Sequence, residues 1–544
     1  VIERARRVWA WAQRHPLLVV AVVASIGAVG SMWSIWHERL PGNLDPDEAG
    51  YVAAALRYQR SIDPAHPGVV VQEVAQSVTG PLVPVLSVVP LVLGPRDLRS
   101  AMLVQPVLGV VLAVSATAIT RRLAGPGWAI LAGAYVAALP RVVEATETYW
   151  LGLGAAAMLA VALALLLRPD GLEGRARFGL GAALGATLLA RTMAVSLVPG
   201  VIVAMVVMAW GERRRLVGAA QALAVAVAVA GPWFLVRRRE VFGYLFSYGY
   251  GANAGEFGSG GVATRARVRV RELVEYTVRW PYRFWPWQLG WAILAAVVGY
   301  AVVRFAPRGR PDRWSHGQRC AVALVAVLVP GLAALVTTTN VGIWFDLPLY
   351  VPLVALVVAA VSRLPRWPRL LPAGVLVAVA VIGPLAVRAQ DTDRMDLGHR
   401  EYDARFDDLH GASGRAAAHE WAGLNRKVAA ALEPLAGNRT RDHVLMTGNM
   451  FTVNANSVTL ASELRGVGLI IGVPDTMGDA WRAELGHRWN RALVVVRYPR
   501  RTFLPDRGWA KVEAAARSAG WTQVASWTMP SDRGGDVVLL VPPR

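Results

Sequence analysis

The chain has 544 residues, 55 % of them hydrophobic and only 17 % charged, with a formal net charge of +20 at pH 7. That composition, with its positive mean hydropathy, excludes an ordinary water-soluble protein and points to the bilayer as solvent. The charge is carried almost wholly by arginine, since lysine occurs only at Lys427 and Lys511, and it reads as membrane orientation rather than nucleic-acid binding.

The first apolar run, Leu17 to Trp36, follows Arg4, Arg6, Arg7 and Arg14. It is too long for a signal-peptide core and lacks a small-residue cleavage site, so an uncleaved transmembrane anchor is expected. A spanning helix needs about 20 apolar residues. Eleven candidates follow: 17–36, 98–120, 127–142, 148–167, 178–190, 194–210, 216–236, 286–304, 320–337, 346–362 and 370–388. Only Arg191-Thr192-Met193 separates the fifth from the sixth, which suits a tight hairpin or one broken helix. Cys320 opens the ninth, and as the single cysteine it can form no intrachain disulfide.

Arginines in short loops stay on the cytoplasmic side. The basic links at Arg121-Arg122, Arg168 to Arg177, Arg213 to Arg215, Arg304 to Arg319 and after Arg363 therefore place the N-terminus in the cytoplasm and the tail outside. The fold expected is a polytopic α-helical membrane protein of the plasma membrane, residues 1–390, with a soluble extracytoplasmic α/β domain, 391–544. Outer loop 37–79 holds six acids against three arginines, and outer loop 237–285 holds nine arginines against four acids. Opposite charge on one membrane face suggests a site with an acidic and a basic wall. Arg237, Arg238 and Arg239 fall outside, as an exception to the orientation rule.

Beyond residue 390, strands are predicted at 443–446, 468–472, 493–497, 524–527 and 537–541, with a helix from Trp509 to Ala519. The domain carries no GxGxxG, no Walker motif and no histidine cluster of metal-ligand spacing. A packing or lid module is expected.

The stretch "NLDPDEAGYV" from Asn43 concentrates carboxylates at Asp45, Asp47 and Glu48. Asp45 suits a helix N-cap, Pro46 the first helical position, and Glu48 the reciprocal bond of a capping box. That accounts for two acids and leaves Asp47. A helix N-terminus offsets an added carboxylate by only about 0.3–1 kcal/mol, but it keeps the group ionised, as a general base requires. The following "AGYVAAALRYQR" could lay Tyr51, Val52, Leu56 and Tyr58 along a membrane surface.

"DPDE" at 45–48 resembles the acidic pair in the first outer loop of GT-C membrane glycosyltransferases, in particular the protein O-mannosyltransferase and aminoarabinose transferase branch. "TETYWLGLGAAAMLAVALALLL" from Thr146, "GLGAALGATLLARTMAVSLVPG" from Gly179, "GPWFLVRRREVFGYLF" from Gly231 and "FDLPLYVPLVALVVAA" from Phe345 resemble further family segments in the same order. The His-Pro-Pro-Leu-like turn of many relatives is replaced here by "VTGPLVP" from Val78.

The resemblance implies transfer of a sugar from a polyprenyl-phosphate donor to a hydroxyl on the outer face. Asp47 would be the catalytic base, and Glu48 would position the acceptor or Asp47 itself. Asp45 with Asp47 makes the Asp-x-Asp form in which some relatives coordinate a divalent cation, so Mg²⁺, Mn²⁺ or Ca²⁺ is a candidate cofactor without being required. A single displacement would invert the anomeric carbon. Arg237, Arg238 and Arg239 are candidates for the donor phosphate, as the alternating Arg265, Arg267, Arg269 and Arg271 are as a group. Arg141 and Glu147 are raised to site candidates, Arg141 with Glu144 or Glu147 being equally suited to a structural ion pair. Arg191 is a further candidate, and Asp346 a weaker one. The run from Trp280 suits an aromatic interfacial belt. The acceptor could be glycan, protein or lipid in the cell envelope, and the Arg, Ala and Val bias suits an actinobacterial host. The alternative is a transporter or flippase of a lipid-linked sugar, against which stands the absence of matched halves; a non-catalytic sensor is third.

Overall fold

The computed structural model describes all residues except 1, 41–43, 78, 252–260, 278–298, 300–313, 339–344, 390–414, 436–441, 448–452, 474–481, 483–484, 486–489, 498–508, 531–534 and 544. Two compact units divide the chain. One comprises residues 1–32, 75–83 and 104–390, and the other 33–74, 84–103 and 391–544.

Among the described residues, five helices are long and apolar enough to cross a bilayer: Pro16–His37, Leu98–Ala124, Thr192–Ala209, Arg213–Val236 and His316–Thr337. Their apolar side chains are not all used in packing. Ile26 and Val29 are 68 % and 64 % exposed, and Val227 and Leu235 similarly so, surface that only acyl chains can cover without cost. The chain is a multi-pass membrane protein. Leu151–Leu166, Ala176–Ala190 and Leu347–Arg363 are apolar but shorter, and Leu82–Leu93, broken in pattern by Pro84 and Pro90, is an apolar helix outside the eleven predicted stretches. Of those stretches, 286–304 lies outside the described residues except at Gly299, as does the aromatic run from Trp280.

The stretch 127–142 is not one straight span. Pro126–Ala138 and Pro140–Glu147 meet at 54°. Leu139 leaves helical space at φ −58°, ψ 130°, because the ring of Pro140 disfavours a helical residue before it and suits the first position of a new helix. A second break stands at Arg191, extended at φ −151°, ψ 127°, followed by a 3-10 turn over Thr192–Leu197 and the helix Val198–Ala209. Close helix approach rests on small residues: a Cβ on Gly181 would collide with the Ala222 carbonyl, and one on Gly200 with the Ala326 carbonyl.

The second unit is built on a five-stranded sheet of β1 (Asp442–Met446), β2 (Leu469–Gly472), β3 (Asn490–Arg497), β4 (Thr522–Thr528) and β5 (Asp536–Val541). The order is β2-β1-β3-β5-β4, with β1 parallel to β2 and β3, and β5 antiparallel to β3 and β4. Alternation along the strands gives two cores. Val444, Met446, Val494, Val496, Val537 and Leu539 pack with residues of the helices Arg415–Leu432 and Ala455–Leu464. Leu445, Leu493, Val495, Val538 and Leu540 pack with Val512 and Ala516 of Trp509–Ser518. Each such side chain contributes about 1.5–3 kcal/mol by leaving water.

Against Ala455–Leu464 lies the helix Pro46–Arg60, the acidic helix. Val52 and Leu56 are fully buried and Tyr58 nearly so. The face expected to rest on a membrane surface is covered by protein instead, which explains why apolar residues recur there with so much alanine.

Candidate active site on the acidic helix

The start of the acidic helix is a complete capping box. Asp45 Oδ1 accepts the Asp47 N–H at 2.8 Å, and the Asp45 N–H donates to Glu48 Oε2 at 3.3 Å. Pro46 occupies the first helical position, where its missing N–H costs nothing. Glu48 is fully buried. Asp47 is exposed and uses its backbone, not its carboxylate, in the box. Of the three acidic residues, Asp47 is the most exposed, and it stands at the positive end of a helix.

The far end of the same helix is basic. Arg57 and Arg60 lie in its last turn, where cations complement the carbonyl end of the dipole. Both face Glu463 of Ala455–Leu464: Arg60 Nη1 is 2.8 Å from Glu463 Oε2, and its Nη2 donates to Oε1 at 3.2 Å. Arg57 Nε stands 4.0 Å from Oε1, and Arg96 Nη2 3.8 Å from Oε2. Arg96 is itself fixed by a 2.9 Å bond from its Nε to Gln59 Oε1. Burial pushes the Glu463 carboxyl up, and Arg60, Arg57 and Arg96 pull against it. Burial in turn lowers Arg96, with Glu463 opposing.

The remaining candidates belong to the transmembrane unit. Arg141 is buried at the start of Pro140–Glu147, with Nη1 3.7 Å from Glu144 Oε2. Glu147 is half-buried at the last residue of that helix. Arg191, at the break described above, stacks its guanidinium 4.3 Å above the Phe345 ring. Arg237 closes Arg213–Val236, donating from Nε to the Ala75 carbonyl at 2.6 Å and pairing with Glu240 at 3.3 Å. Arg238 and Arg239 are exposed, Arg238 with a 3.3 Å bond to the Leu235 carbonyl. Within the helix Val262–Thr277, Arg265 donates to the carbonyls of Val336 and Thr337 at the end of His316–Thr337, Arg267 is exposed, and Arg269 is buried. Asp346 is buried and accepts a 2.9 Å bond from the Tyr350 hydroxyl.

Asp45 and Asp47 are the two carboxylates named for a cation. Among the described residues no three His, Cys, Asp or Glu side chains converge, and Asp45 already serves as the cap. Four residues escaped the sequence reading altogether: Arg57, Arg60 and Arg96 around Glu463. A fifth, Asn456, donates from Nδ2 to the Pro46 carbonyl at 2.9 Å. No local signal marks them, because Arg60 and Glu463 are 403 residues apart and Pro46 and Asn456 are 410 apart.

No protein-family model matches the sequence, and no curated protein matches it. Among solved structures, the chain is similar to ArnT from Cupriavidus metallidurans bound to undecaprenyl phosphate, at 16% identity and a TM-score of 0.53. It is similar to the apo state of that protein at 16% identity and a TM-score of 0.51. Each likeness covers 97% of this chain and 98% of the other. The likeness shows a shared fold over nearly the whole of both chains, in keeping with the fold that the ordered motifs led one to expect.

Proposed function

We propose that the chain is a membrane glycosyltransferase that takes a sugar from a polyprenyl-phosphate donor and transfers it to an acceptor hydroxyl on the outer face of the membrane. The observation that carries this reading is the end-to-end likeness to a protein whose structure holds undecaprenyl phosphate. The capping box adds the chemical half of the argument, since it occupies Asp45 and Glu48 and presents the Asp47 side chain.

In the reaction, Asp47 accepts the proton of the acceptor hydroxyl. The oxygen then attacks the anomeric carbon, the bond from that carbon to the phosphate oxygen breaks, and its electron pair leaves on the polyprenyl phosphate. One displacement inverts the sugar. Glu48, buried in the box, holds the first turn and thereby Asp47. The growing phosphate charge calls for guanidinium groups. Arg141, Arg191, Arg238 and Arg239 are the candidates, with Glu147 as an orienting carboxylate, while Arg237 is engaged in closing its helix. The N-terminus is cytoplasmic, the α/β domain is extracytoplasmic, and the acceptor is an envelope glycan, protein or lipid.

The experiment is reconstitution in liposomes with a panel of radiolabelled polyprenyl-phosphate sugars, following release of polyprenyl phosphate together with labelled acceptor. Release coupled to transfer for at least one donor supports the reading. Labelled donor that crosses the bilayer intact, with no transfer, would make the protein a flippase.

A further inference from the structure

One helix of the α/β domain grips the acidic helix at both of its ends. At the start, Asn456 holds the Pro46 carbonyl, and Gly50 makes room for it: a Cβ there would stand 3.1 Å from the Asn456 carboxamide. At the end, Glu463 draws in Arg60, Arg57 and Arg96, with its own side chain only 1% exposed. A carboxylate taken that far from water is costly unless its partners hold still. The arginines are each roughly a third exposed, at 33%, 36% and 27%, so the carboxylate is the fixed point and the helix carrying Arg57 and Arg60 is what it fixes. Between the two grips runs the helix that bears Asp47.

We infer that Asn456 and Glu463 are positioning residues for Asp47, through which the α/β domain sets the rotation and height of the acidic helix. The inference rests on Asp47 being the base. A base must come within hydrogen-bond reach of the hydroxyl it deprotonates, and a helix freed at one end turns its first residues away from that point while leaving the donor's binding contacts in place.

The test compares Glu463→Gln, Asn456→Ala and Arg60→Ala with wild type, Asp47→Asn and the control Glu433→Gln. The control breaks an exposed ion pair with Arg465 in the same domain. Amide hydrogen exchange across residues 46–60 and steady-state transfer are both read. Glu463→Gln is expected to speed exchange in the acidic helix by about tenfold or more. It is expected to lower kcat by about tenfold to a hundredfold while the donor KM stays within about twofold. Asn456→Ala, which removes one exposed hydrogen bond, is expected to change both in the same direction and by less. Arg60→Ala with Glu463→Gln should cost little more than the worse single variant. Wild-type kcat in Glu463→Gln, or a loss confined to KM, overturns the inference while an inactive Asp47→Asn keeps the reaction assignment. A wild type that transfers nothing from any donor overturns both, and the exchange data then report only how the helix is held.

Discussion

Asp45 Oδ1 and the backbone N–H of Asp47 are 2.8 Å apart, and this one bond assigns different duties to two carboxylates in the same turn. The first is a cap, spent on the backbone. The second uses only its N–H in the box and keeps its side chain at the surface.

Asp45→Ala should therefore lower stability by about 0.5–2 kcal/mol, the worth of an N-cap, and Asp45→Asn should recover most of it. Thermal unfolding in detergent measures the first effect and the transfer assay its consequence. If Asp45→Asn unfolds like wild type yet stays inactive, and activity follows added Mg²⁺, Mn²⁺ or Ca²⁺, then Asp45 is a cation ligand.

The three consecutive arginines should separate by kind of defect. Arg237→Ala removes the bond to the Ala75 carbonyl and the pair with Glu240, and its effect is expected in unfolding temperature. Arg238→Ala and Arg239→Ala should leave unfolding unchanged and raise the donor KM, each by about fivefold at low salt, the value of roughly 1 kcal/mol per arginine at an anionic surface. KM values that ignore ionic strength would count against a phosphate role for the exposed pair.

In the α/β domain, Glu513 is held by Arg497 and Arg517, with Nε bonds of 2.8 Å from each. The hydrogen bond from Arg497, then that from Arg517, keep its carboxyl below the usual value of 4.5 against the effect of burial. A depressed carboxyl stabilises the fold above its unfolded-state pKa, and that stabilisation disappears as pH falls through the folded-state value. Wild type should exceed Glu513→Gln in stability by about 1–3 kcal/mol at pH 7, and the two unfolding curves should converge on acidification below about pH 4. Convergence on raising the pH instead would reverse the sign of this coupling.

Local signals carried much of this architecture. The residues Asp45, Pro46 and Glu48 spell out the capping box because each interaction lies within four positions. Strands β1 to β5 were legible to within about three residues at either end, since β-branched runs alternate across the sheet. What escaped was non-local or masked by proline. Leu82–Leu93 contains Pro84 and Pro90 and looks like a loop beside longer runs. The 54° bend hinges on Leu139, an apolar residue that hydropathy counts as span. The docking of the acidic helix on Ala455–Leu464 has no trace in either segment alone. Alanine and valine on the acidic helix suited a membrane surface equally well, and only the fold pairs Arg60 with Glu463.

The most direct measurement is single-turnover transfer from a radiolabelled polyprenyl-phosphate sugar by wild type, Asp47→Asn and Asp47→Glu at saturating donor. Loss of a general base predicts a fall of about 10²–10⁴ in the chemical rate for Asp47→Asn, partial recovery in Asp47→Glu, and unchanged donor binding in both. An Asp47→Asn protein that turns over at the wild-type rate would contradict the account.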